Sequence, residues 1–128
     1  MDTQTLVPPA AIEHIHLLSK QLNQLYRSMQ TERQAIAQWE EDQEFSILGV
    51  LELFSSDIGG YVEQILSNAI MTNPEKNLAH LRKLNLFDID YFVIWYFANL
   101  DTYPQVKQYT EQLDHLRLLL IEHFGTRR

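Results

Sequence analysis

Residues 9–41 read PAAIEHIHLLSKQLNQLYRSMQTERQAIAQWEE, and the spacing of their apolar side chains decides the fold class. Ile15, Leu18, Leu22, Leu25, Met29, Ile36 and Trp39 recur at steps of three and four, with Glu32 as the one polar break. That is a heptad seam sustained for more than three repeats, suited to knobs-into-holes packing. Pro8 and Pro9 fit the opening of a helix, where a missing amide hydrogen costs nothing. No Gly or Pro follows until Gly49, so the spacing predicts one helix from about Pro9 to Glu41. At 1.5 Å per residue it would run about 50 Å, longer than the roughly 35 to 40 Å breadth of a compact domain of this size. Either the helix breaks, or its end overhangs and a second protomer covers it. A homodimer held by the seam is the expectation, although Gln21, Ser28 and Ala35 offer no flanking charges to choose a partner. Antiparallel packing within one bundle would use the same stripe.

The rest of the chain repeats the helical period. Phe45, Leu48, Leu51, Phe54, Ile58, Val62, Ile65 and Ala69 predict one helix over 44–71, or two nearly collinear ones, with the register kept across Gly59 and Gly60, whose presence calls for a packing or bending reason. Asn73 and Pro74 suit the cap and opening of a short helix ending near Leu84. Asp88 looks like the cap of a fourth helix ending near Leu100. Pro104 opens a last one whose stripe is Val106, Tyr109, Leu113, Leu116 and Leu120, with Gly125 as its stop. No stretch alternates strictly and no hairpin turn signal occurs. The reading is all-α: a single domain over 1–128, a four- to five-helix bundle with long first and last helices, forming a dimer. Residues 1–7 form an N-terminal arm and 125–128 a tail.

Composition narrows the function. The chain has 128 residues, no Cys and 45% apolar positions, which excludes disulfide scaffolds and thiolate chemistry and suits one folded domain. No secretory signal or membrane-length apolar run is present, so the cytoplasm is the expected compartment. The net charge of −7 is local. Between Gln34 and Pro74 lie Glu40, Glu41, Asp42, Glu44, Glu52, Asp57 and Glu63 with no Lys or Arg, while the remainder balances. Such a chain repels phosphate backbones, so no direct nucleic-acid partner is expected. The run from Glu40 to Glu44 reads either as a solvated helix end or as a docking surface for a protein with a basic surface.

No complete catalytic set emerges. His14, His80 and His115 share a local pattern of apolar, x, His, apolar, x, x, Leu, and His16 and His123 complete the five. The pattern places each imidazole at the polar edge of an apolar stripe. A metal would need several of them turned inward with carboxylates such as Glu13 or Asp114. Glu13 and His16 form one Glu-x-x-His step, but the second step a di-iron bundle requires is absent. No cofactor is expected.

Half of the 14 aromatics fall within 87–103. A helix over 89–100 is apolar almost all round: it is the centre of the core, or it buries one face and offers another to a partner or ligand. It contains no basic residue with which to read bases, which rejects a DNA-binding helix-turn-helix. The leading expectation is a small non-catalytic interaction protein, a regulator, adaptor or chaperone-like factor. Tyr91, Trp95 and the acids Glu40, Glu41, Asp42 and Glu44 would face its partner, another protein. The alternative is a helical bundle binding a small molecule or metal through the aromatic cluster and the histidines.

Overall fold

A computed structural model of the chain describes residues 9–67 and 74–125. Among them there are six α-helices and no strand: α1 (Pro9–Ser28), α2 (Gln30–Trp39), α3 (Ile47–Leu66), α4 (Pro74–Lys83), α5 (Asp90–Ala98) and α6 (Pro104–Gly125). Two 3₁₀ turns, Glu40–Asp42 and Leu86–Asp88, join α2 to α3 and α4 to α5. The all-α reading holds, with more helices than the expected four or five. The arm at 1–7, the cap at Asn73 and the tail beyond Gly125 lie outside the described residues.

The helix expected over 9–41 breaks at Met29, which leaves the helical region at φ −96° and ψ 21°. The bend changes how backbone groups are satisfied. Met29 N–H still donates to the Leu25 carbonyl at 3.0 Å, and Arg33 N–H donates to the Met29 carbonyl at 2.9 Å. The Arg33 guanidinium donates to the Tyr26 carbonyl at 3.1 Å and lies 3.9 Å from the centre of the Tyr26 ring. A side chain inserted at a carbonyl is a recognised cause of a helix kink. The overlong helix is thereby folded back onto its own domain.

The long terminal helix α6 packs against α1, α2, α3 and α4. Ring contacts of Tyr26 with Tyr109 and of His14 with His115 show that α1 and α6 run antiparallel. The buried core takes Ile15, Leu18, Leu22 and Met29 from the first segment and Ile36 from the second. It adds Leu51, Ile58 and Ile65 from α3 and Val106, Leu113 and Leu120 from α6. The seam from Ile15 to Ile36 is therefore packed mainly within one chain.

The helices α3 and α6 both start on borrowed carboxylates. At α3, Ser46 is the cap: its hydroxyl accepts from Gly49 N–H at 2.8 Å, while Glu40 accepts from Ile47 N–H at 2.8 Å and Leu48 N–H at 3.4 Å. At α6, Pro104 has no amide hydrogen, and Glu32 accepts from the next two amides, Gln105 at 3.2 Å and Val106 at 2.9 Å. The amides that open a helix have no partner within it, and an anion there also meets the positive end of the helix dipole.

The helix α3 runs unbroken through Gly59 and Gly60, as the register predicts, but the expected packing reason is missing. A methyl group added at either position would meet nothing within 4 Å. Gly59→Ala and Gly60→Ala should each stabilise the protein by about 0.5 to 1 kcal/mol, read as a higher denaturation midpoint. A loss of stability would show that the glycines serve a bend or a neighbour.

The fourth helix also begins later than Asp88. Asn85 accepts from Phe87 N–H at 3.0 Å and starts the 3₁₀ turn instead. The helix α5 then opens at Ile89 without a side-chain cap and stops at Asn99, whose backbone and side-chain amides both donate to the Trp95 carbonyl.

Candidate interaction surface

The nine residues of α5, Asp90 to Ala98, contain only one polar side chain, so periodicity cannot show which face turns inward. Packing decides it. Phe92, Trp95 and Tyr96 are buried. Phe92 packs on Tyr96, Phe87 meets both edge-on, and Trp95 stacks on Tyr103 with ring centres 5.8 Å apart. The Tyr96 hydroxyl donates to Glu111 of α6 at 2.8 Å and ties the helix to the bundle. The opposite face carries Ile94, 71% exposed, and Phe97, 64% exposed.

This corrects the choice of contact residues. Trp95 is 6% exposed, and Tyr91 is half-buried against the turn that joins α2 to α3. Its ring lies 4.4 Å, centre to centre, from that of Phe45. Ile94 and Phe97 are the apolar side chains that α5 presents to solvent. Two large apolar groups three residues apart on a helix are adjacent on its surface.

The Phe45–Tyr91 contact joins α5 to the acidic turn. Of the acids expected at the docking surface, Glu41, Asp42 and Glu44 are exposed. Glu40 is not available, because its carboxylate caps α3 and also accepts from the Ser46 hydroxyl at 2.6 Å. Residues 84–106, around α5, hold Asp88, Asp90 and Asp101 and no Lys or Arg. Two segments without basic residues thus meet, and together they carry ten of the 17 acids. The seam candidates part company at the end of α2: Leu25 is half-buried and Trp39 is 43% exposed, beyond the last buried position at Ile36.

A second cluster lies between α1, α3 and α6, around a shallow cavity of about 340 Å³ lined by Asn23, Tyr26, Glu52, Ser55 and Tyr109. The Tyr26 hydroxyl donates to Glu52 at 2.8 Å, and the hydroxyls of Ser55 and Tyr109 are 2.6 Å apart. Composition offered no sign of this cluster, since its members come from three separate stripes. Burial pushes the Tyr109 phenol above its ordinary value, aided by the Glu52 charge and opposed by the Ser55 bond. Burial and the bond to Glu52 do the same to Tyr26. Phenols held protonated are no bases at neutral pH, and Ser55 contacts no base that would activate it. The cluster fastens three helices.

The histidines do not gather. Those at 14 and 115 meet edge to face with ring centres 6.3 Å apart on the exposed surface, and His16 is exposed. His80 bonds the Tyr61 hydroxyl through Nδ1 at 2.7 Å and approaches Asp57 through Nε2 at 3.7 Å. Among the described residues no three His, Asp or Glu side chains form a group that could hold a metal ion, and no helix is long and apolar enough to cross a membrane.

The phenols also set a pH dependence. Burial raises Tyr61, with the Asp57 charge adding to it, and burial raises Tyr96 further, with the bond and charge of Glu111. Together with Tyr26 and Tyr109, four tyrosines ionise less readily folded than unfolded. Their contribution to stability is complete below the free value of 10.0 and is lost as pH rises through the folded values. The melting temperature should fall steeply above about pH 10, with phenolate absorbance appearing alongside unfolding. Four phenols ionising at their free value in the intact fold would contradict this.

No protein-family model matches the chain, and no curated protein or solved structure is significantly similar to it.

Proposed function

We propose that the chain is a small non-catalytic protein–protein interaction module, a regulator, adaptor or chaperone-like factor that docks its partner on the outer face of α5. One observation carries this reading: Ile94 and Phe97 stand in solvent on a helix whose other face is the aromatic core. Adjacent exposed apolar groups rimmed by polar residues are characteristic of interaction sites, and a rigid supporting core keeps the cost of ordering them low on binding.

Homodimer formation through the seam loses its basis once α3 and α6 fill that seam. Self-association through α5 would set each copy's acids against the other's. The reading therefore expects a monomer at tens of micromolar, which light scattering measures.

The test is comparative capture from lysate with two baits, the wild-type chain and the Ile94→Ser/Phe97→Ser variant, quantified by mass spectrometry. Both substitutions are at exposed positions and should leave melting unchanged. Proteins held by the wild type and lost by the variant support the reading. Identical captures would overturn it.

A further inference from the structure

The Phe45–Tyr91 contact joins two base-free segments whose exposed acids, Glu41, Asp42, Glu44, Asp88, Asp90 and Asp101, select among the partners that α5 could hold. Resting on the reading of α5 as a docking face, we infer that its occupant is a basic amphipathic helix, with apolar anchors on Ile94 and Phe97 and Lys or Arg side chains set against the surrounding acids.

Shape comes first. Ile94 and Phe97 stand three residues apart on one helix face, about 4.5 Å apart along the axis at 1.5 Å per residue, with the half-buried Tyr91 at the edge toward Phe45. A second helix laid against such a face presents anchors at i, i+3 or i+4 and i+7. The described residues contain no strand, so addition of an extended peptide to a sheet edge has no template here.

Charge then chooses the partner. Glu41, Asp42 and Glu44 are exposed beside Phe45, and Asp88, Asp90 and Asp101 are exposed before, within and after α5. Asp90 lies one turn from Ile94. Residues 34–75 and 84–106 contribute no Lys or Arg to offset these acids. A second copy would set acids against acids. Nucleic acid and an anionic lipid surface meet the same repulsion. A basic helix gains from every one of these charges, and its apolar anchors take the exposed side chains out of water.

The probe is a synthetic amphipathic peptide with Leu anchors flanked by Lys, titrated against the fluorescently labelled full chain. Two control peptides share its length: one with Glu replacing every Lys, one with the anchors scrambled. Binding of the Lys peptide alone is expected, weakening severalfold from low salt to about 0.3 M. Ile94→Ser/Phe97→Ser should weaken it at least about tenfold. Glu41→Gln/Asp42→Asn/Glu44→Gln should weaken it severalfold and flatten the salt dependence, with Glu40 left in place to cap α3.

Equal binding of the Glu peptide, or no binding of the Lys peptide, would overturn the basic-helix inference while the capture comparison still decides whether α5 docks a protein. Binding of the Lys peptide undiminished by Ile94→Ser/Phe97→Ser would overturn both. Sedimentation showing a wild-type dimer that the same variant dissolves would make a second copy the occupant and overturn the inference.

Discussion

Replacing Arg117 with alanine should cost the protein about 3 kcal/mol, the low end of the range found when one member of a buried ion pair is removed, because the Asp114 side chain is 24% exposed. Arg117 is 5% exposed in the middle of α6. Its Nε and Nη2 both lie 2.9 Å from Asp114, one turn earlier, and its Nη1 donates to the Leu81 carbonyl at 3.2 Å. Leu81 is in the last turn of α4, and its carbonyl also accepts from Leu84 N–H at 3.2 Å, so the guanidinium adds a second donor there and joins two helices. Alanine leaves Asp114 without its cation, removes the tie from α6 to the Leu81 carbonyl and opens a cavity between α4 and α6. The conservative Arg117→Lys offers a point charge without the planar fork and should recover only part of the loss. Denaturant unfolding measures both variants. A loss under about 1 kcal/mol for alanine would mean that the pair is as weak as an exposed one.

Glu32→Ala should cost about 2 to 4 kcal/mol, because two charge-assisted hydrogen bonds to the first turn of α6 disappear together. Their donors, Gln105 N–H and Val106 N–H, are the amides left after Pro104 contributes none. Water can reach part of this site, which keeps the figure below the sum of two fully buried orphans. Glu32→Gln retains acceptors and forfeits the charge facing the helix dipole, so about half the loss should remain. Hydrogen exchange gives the sharper signature: protection should fall first at the start of α6, then in α2, which Glu32 holds to it. Uniform loss across the bundle would show a general packing defect instead.

These two residues mark where the sequence could and could not be read. The 3-4 spacing predicted an all-helical chain, and the seam positions Ile15, Leu18, Leu22, Met29 and Ile36 are all buried. Glu32 stood out as the polar break in that seam, yet its role depends on α6 arriving 73 residues later. Arg117 falls within a histidine-bearing stretch whose pattern drew attention to His115, which is exposed. The kink at Met29 has no Pro or Gly to announce it, because the carbonyl exposed there is satisfied by Arg33 from the next turn. For α5, uniform apolarity identified the helix but removed the contrast that distinguishes its faces, so Trp95 and Tyr91 were expected where Ile94 and Phe97 stand. Glu40 was indistinguishable from its acidic neighbours until Ser46 and Ile47 came within its reach. The joining of the two base-free segments is a tertiary fact, carried by the contact of Phe45 with Tyr91.

The most direct test of α5 as the docking face is amide chemical-shift mapping of the labelled full chain as the unlabelled Lys peptide is added. Shifts concentrated in 41–45 and 90–98, with the cluster of Tyr26, Ser55 and Tyr109 unmoved, are the predicted result. Saturating binding that shifts other surfaces and leaves Ile94 and Phe97 unchanged would contradict it.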